Sequence, residues 1–187
     1  MNLFLLKYGG ATAVAAFSIV MYVDSIIGMV NFGICDSLQP AISYCYGAKR
    51  LDRVKSIFKR MIFADIITSA AAFLFMFFVG GSVAKVFIKP DDTGLLAVSM
   101  TAVKLFSFSY LAGWIDMSFS SYFTALDRPV RSLFVSTFGT LVFPIAFLFI
   151  LTYVWGLDGV WLMPSVAAVF SGIMTLILYK TLVISTD

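Results

Sequence analysis

Long apolar stretches separated by short clusters of charge, Gly and Pro set the pattern of this chain. Five of them, 11–34, 61–84, 96–123, 132–155 and 159–179, each hold the roughly 20 mostly apolar residues that a membrane-spanning helix needs. The breaks fall at Gly47-Ala48-Lys49-Arg50, at Gly80-Gly81 followed by Pro90-Asp91-Asp92, at Asp127-Arg128-Pro129, and at Gly156-Leu157-Asp158-Gly159. This pattern predicts an all-α membrane protein: a five-transmembrane-helix bundle forming one membrane domain over 1–187. The first helix is expected to continue past residue 34 to Tyr46, with a kink at Pro40. Trp155 and Trp161 bracket the last turn, where an aromatic belt at the membrane surface is expected.

Composition strengthens the reading. The chain is 61% hydrophobic and 12% charged, whereas a soluble domain carries about a quarter charged residues to cover its surface. A net charge of +3, spread along the chain, is too small for a nucleic-acid surface. There is no His, and all ten acids are Asp. That removes a Ser-His-Asp triad, a zinc-binding HExxH helix and a His proton relay, so neither an enzyme nor a metal centre is expected. Cys35 and Cys45 lie on one predicted helix and point about 80° apart. They read as packing residues.

Basic residues give a topology. Lys49, Arg50, Arg53, Lys55, Lys59 and Arg60 fall in one expected loop, 48–60, while Arg128, Arg131 and Lys180 fall on the same side if the five spans alternate. The other side has Lys7, Lys85 and Lys89. The positive-inside rule then puts the N-terminus outside and the C-terminus in the cytoplasm, in a multi-pass protein of the plasma membrane. The 48–60 run is better read as this topology signal than as a lipid-binding segment. Lys7 follows rather than precedes the apolar stub 1–6, unlike a signal peptide; the expectation is a helix whose earlier part precedes Met1. Leu51-Asp52-Arg53-Val54 also echoes Leu126-Asp127-Arg128-Pro129, with each Asp read as a helix N-cap.

Ionisable residues within spans are costly and are functional candidates by default. Asp24, Gly28, Asn31 and Cys35 repeat at helical spacing and form one polar, small-residue stripe. Ser109, Gly113, Asp116 and Ser120 form a second on the third span, with Lys104 outward of them. Two such faces imply a polar interior shared by neighbouring helices, in which Asp24 and Lys104 are expected to approach each other. The Ser and Gly positions read as helix-packing residues, and Asp116 as functional. Asp65, five residues from Arg60, reads as a structural group snorkelling to the inner interface. Asp36 is expected to be solvated.

The run Leu38-Gln39-Pro40-Ala41-Ile42-Ser43-Tyr44-Cys45-Tyr46-Gly47-Ala48-Lys49 resembles the "QPxISYxYGAK" signature of the multidrug and toxic compound extrusion (MATE) antiporters, where it closes the eighth helix. Tyr122 to Pro129, and then Gly156-Leu157-Asp158-Gly159-Val160-Trp161, resemble the family's loop between helices ten and eleven and the entry to its last helix. Tyr8-Gly9-Gly10 resembles the stretch between helices seven and eight. The resemblance implies the last five helices of the C-terminal half of a cation-coupled exporter that works by alternating access. Its partners would be a small organic cation as substrate, membrane lipid and an N-terminal lobe, with no cofactor beyond Na⁺ or H⁺ as coupling ion. Asp116 falls where some members use an Asp of helix ten in cation binding, which implies Na⁺ at Asp116; Asp24, Asn31 and Lys104, from the polar interior already read, complete the expected ion or substrate residues. Several bacterial members carry an Arg early in helix eleven, where this chain has Phe138-Gly139-Thr140. The alternatives are a lipid or polysaccharide flippase of the same superfamily and a non-transporting remnant or accessory protein.

The topology predicts that a cysteine placed at position 92, after replacement of Cys35 and Cys45, reacts with an impermeant label in sealed cells. Labelling only after permeabilisation would invert the orientation.

Overall fold

The computed structural model describes residues 1–88 and 92–184, and among them every regular element is helical. Lys89, Pro90 and Asp91, in the expected outer loop, lie outside the described residues. The elements are α1 (Asn2–Gly47), α2 (Leu51–Leu74), α3 (Gly80–Phe87), α4 (Thr93–Ser107), α5 (Tyr110–Ala125), α6 (Pro129–Thr137) and α7 (Phe143–Ile184). Wide π turns at Phe75–Val79 and Phe138–Val142 join α2 to α3 and α6 to α7.

Two of these elements are hairpins closed by a single glycine. Gly156 (φ 56°) sits in the left-handed region inside α7. Beyond it the chain doubles back, and the Phe147 and Phe170 ring centroids come within 4.7 Å; on one straight helix they would stand about 34 Å apart. Gly10 (φ 64°) does the same in α1. It folds residues 2–9 back so that Met1 lines the same cavity as Phe17 and Met21. The turn at Gly10, rather than Met1, therefore marks that end of the bundle. Divided at Gly10 and Gly156, the chain makes five spans and a short antiparallel stub. The segment Pro129–Thr181 alone has 53 residues, about 80 Å of helix and twice what a bilayer accommodates.

The third span is broken. α4 and α5 meet at a 49° bend. The Ser109 amide bonds to the Phe106 carbonyl at 2.9 Å, which leaves the Leu105 carbonyl without its helical donor. Ser165 of α7 supplies one, its hydroxyl donating to Leu105 O at 3.1 Å. A freed carbonyl in an apolar bundle needs such a partner. The wide turn at Phe138–Val142 has a similar cause, because Pro144 has no N–H to offer the Thr140 carbonyl.

The turns at Lys49 and Asp127 are tighter than the sequence suggests. Lys49 and Asp127 both take positive φ (57° and 55°). Arg50 N donates to Cys45 O, and Arg128 N to Phe123 O, each at 2.9 Å. Both are Schellman closures of the preceding helix. The echo between the two segments is thus a shared C-terminal cap, and Asp52 and Asp127 do not cap the helices that follow. The expected loop 48–60 contracts accordingly, with helix resuming at Leu51.

Packing divides the bundle along its axis. One apolar core, toward the Gly10 and Gly156 turns, holds Val20, Met76, Val103, Phe106 and Trp161. Trp161 is 1% exposed, so it belongs to this core and not to a surface belt, whereas Trp155 is exposed. A second core, toward the Lys49 and Asp127 turns, holds Phe58, Phe119, Tyr122, Phe123 and Val135. Between them runs a layer of polar groups: Asn31, Asp65, Ser69, Ser118, Asp116, Ser171 and Thr175.

Gly159 packs directly on the Leu151 carbonyl, where any Cβ would overlap the backbone. Gly159→Ala should cost about 1–3 kcal/mol, as overpacking does, read as a lower unfolding midpoint in detergent. Gly28→Ala, with nothing within 4 Å of the new methyl, should leave the midpoint unchanged or raise it.

Candidate functional site

A cavity of about 770 Å³ opens between α1, α5, the α6–α7 wide turn and the second half of α7. Its walls are mixed. Phe17, Met21, Phe106 and Met163 supply an apolar half, and Gln39, Asp116, Ser120, Ser121, Thr124, Ser136 and Thr140 a polar one. Asp116 is the half-buried acid of its lining. Its Oδ1 accepts a hydrogen bond from Thr175 Oγ1 at 2.8 Å. Its Oδ2 faces Gly139, and a Cβ there would stand 2.6 Å from that oxygen and 2.9 Å from Ser171 Oγ. Ser171 is fully buried, and its hydroxyl has no hydrogen-bond partner among the described residues.

The polar wall beside Asp116 is a hydroxyl ladder between α5 and α6. Ser120 Oγ is 2.8 Å from Ser132 Oγ and 2.9 Å from Ser136 Oγ, and Thr124 donates to Ser132 at 2.8 Å. Ser121 donates to Gln39 Oε1 at 3.1 Å, tying α5 to α1. Sequence reasoning missed Ser132, Ser136 and Thr140, although their spacing of four marks one helical face. It also missed the Ser171–Thr175 pair, for which the same signal was available.

Of the four expected site residues, Asp116 alone lines the cavity. Asp24 accepts a hydrogen bond from the Tyr110 hydroxyl at 3.0 Å. Lys104 is exposed. The expected Asp24–Lys104 pair is therefore not formed: the bend after α4 separates Lys104 from Tyr110, and the phenol takes the position foreseen for the ammonium. Asn31 is buried behind the wall, its amide donating to Ser69 at 3.4 Å and accepting from Thr68 at 2.6 Å. Asp36 lines the cavity and is exposed.

Asp65 differs most from its expectation. It is 0% exposed and belongs to the polar layer rather than to an interface. Because α2 starts at Leu51, Asp65 lies about 21 Å along that helix, beyond the reach of snorkelling. Ser118 Oγ is 2.6 Å from its Oδ2, and Cys35 donates to the same oxygen at 3.6 Å.

A polytopic helical membrane protein with a polar cavity at mid-bundle is the class this architecture defines. The MatE family model matches residues 1–150, and the chain belongs to that family. Solved structures agree in fold. An outward-facing multidrug resistance MATE family transporter of the MOP superfamily superposes with a TM-score of 0.89 at 19% identity, over 99% of this chain and 41% of its own. An inward-facing one gives 0.85 at 19%, over 100% of this chain and 44% of its own. A MOP superfamily transporter from Pyrococcus furiosus, described as having a binding pocket of reversed polarity, gives 0.83 at 19%, over 97% and 42%. The chain thus spans about two fifths of the transporters it resembles. A search of curated proteins finds no match.

Gly139→Ala would force Asp116 or Ser171 aside, since the new methyl lands against both. The variant should remain folded, with the wide turn absorbing part of the strain. Structure determination or paramagnetic labelling should show Asp116 displaced from Thr175.

Proposed function

We propose that this chain is the C-terminal lobe of a cation-coupled multidrug efflux antiporter in the plasma membrane. An N-terminal lobe would supply the opposite wall, and Na⁺ or H⁺ the drive. The observation that carries the reading is Asp116, a carboxylate half-buried in the cavity wall among hydroxyls. Alternating access in such transporters rocks two bundles about a site near the bilayer midplane, and the polar layer lies between two apolar cores as such a site should.

The chemistry of this wall suits both ligands. A small organic cation is favoured beside a carboxylate and can lay its apolar body against Phe17, Met21, Phe106 and Met163. Na⁺ takes oxygen donors, and Asp116, Ser171 and Thr175 present carboxylate and hydroxyl oxygens near one another. A proton on Asp116 would remove the charge that an organic cation needs. Ion and drug then compete for one carboxylate, and that competition is what an exchanger requires. Lys104, Asn31 and Asp24 lie outside the cavity lining. In this reading Asn31 and Asp24 tie the helices of the bundle together, through Ser69, Thr68 and Tyr110.

Asp116→Asn keeps the side-chain shape and removes the charge. In a reconstituted transporter carrying both lobes, it should abolish ion-driven efflux of an organic cation while leaving expression and thermal stability near the parent. Undiminished gradient-driven efflux would reduce Asp116 to a packing residue and overturn the proposal.

A further inference from the structure

A second buried acid lies behind the cavity wall, and its hydrogen bonds do not balance if it is charged. Ser118 Oγ sits 2.6 Å from Asp65 Oδ2 and 2.9 Å from the Trp114 carbonyl. A serine has one hydroxyl hydrogen and cannot donate to both. Asp65 Oδ1 is buried and has no partner among the described residues. A charged Asp65 would thus hold a bare oxygen at mid-bundle, with only Ser118 and a weakly donating thiol to offset it. Burying an uncompensated charge is costly enough that the group takes up a proton instead. A neutral Asp65 settles the count: Oδ2–H donates to Ser118 Oγ, Ser118 donates to Trp114 O, and the bare Oδ1 is an uncharged carbonyl.

Among the described residues, Cys35 is the one titratable group hydrogen-bonded to Asp65. Asp24 is bonded to Tyr110, Asp36 faces the cavity, Asp116 is bonded to Thr175, and Lys104 is exposed. Tyr122 lies in the aromatic stack with Phe58. Cys35 itself lines the cavity, so one thiol has the cavity on one side and Asp65 on the other.

We propose that Asp65 is a proton-binding site of the membrane interior, separate from Asp116, which exchanges its proton with the cavity past Cys35. The inference does not depend on the role given to Asp116. Infrared spectroscopy of the chain in lipid nanodiscs tests it. The spectrum should contain the carbonyl stretch of a protonated carboxylic acid that shifts when the buffer is changed to D₂O. The band should be lost in Asp65→Asn, persist in Asp116→Asn, and change frequency in Ser118→Ala, which removes its acceptor. Cys35→Val should keep the band and slow its shift in D₂O. An unchanged band in Asp65→Asn, or no such band in a folded parent chain, would overturn the protonated state. A band that never shifts in D₂O would make Asp65 a locked structural acid, and unaltered exchange in Cys35→Val would overturn the route.

Discussion

A carboxyl group inside an apolar bundle must find a hydrogen-bond partner there, and this bundle supplies hydroxyls rather than cations. Asp24 meets Tyr110, Asp65 meets Ser118, and Asp116 meets Thr175. Each pair joins two different helices. α5 contributes Tyr110, Ser118 and Asp116, so it holds one member of every pair. That makes α5 the hub to which α1, α2 and α7 are referenced, and the bend at its start fixes where each of its faces points. Hydroxyl partners also have a consequence that cationic partners lack. A carboxyl bonded to a hydroxyl can gain or lose a proton without leaving an unpaired cation in the membrane.

The polar layer sits between two dry cores. Toward one end, Phe58, Tyr122, Phe119 and Tyr179 form an aromatic cluster, with the Phe58 and Tyr122 rings stacked at 3.8 Å. Toward the other, the two glycine turns lie against each other, with Leu157 packed on Gly9 and Tyr8 beside Gly156. Apolar contacts hold the ends, and hydrogen bonds position the middle. The outer surface stays apolar as well, with Tyr22, Phe63, Phe78 and Tyr153 exposed, as a bundle set in lipid requires.

Much of this was legible in the residues. The five spans follow from long apolar runs and from the Gly, Pro and charge clusters between them, and Asp116, singled out by the cost of an intramembrane acid, lines the cavity. What escaped depended on geometry that spacing does not encode. Asp65 was misplaced because the basic run 48–60 reads as loop, whereas a Schellman closure at Lys49 lets helix restart at Leu51 and carries the acid inward. The Asp24–Lys104 pair does not form because Tyr110 holds Asp24 across the 49° bend between α4 and α5, and nothing in Phe106-Ser107-Phe108-Ser109 announces that bend. Trp161 was assigned to a belt by its proximity to a turn, yet that turn is only one glycine deep, and five residues beyond it the chain is already in the core.

The wide turn at Phe138–Val142 holds one residue more than an α-helical turn would, and it does so where Gly139 faces Asp116. Handing that excess residue along the helix would rotate the residues it passes by about 100° and shift them by about 1.5 Å. Gly139 would then leave the carboxylate, and Phe138 or Thr140 would take its place. The same wall could thus present Asp116 with an open backbone, a ring or a hydroxyl, without any helix leaving its neighbours.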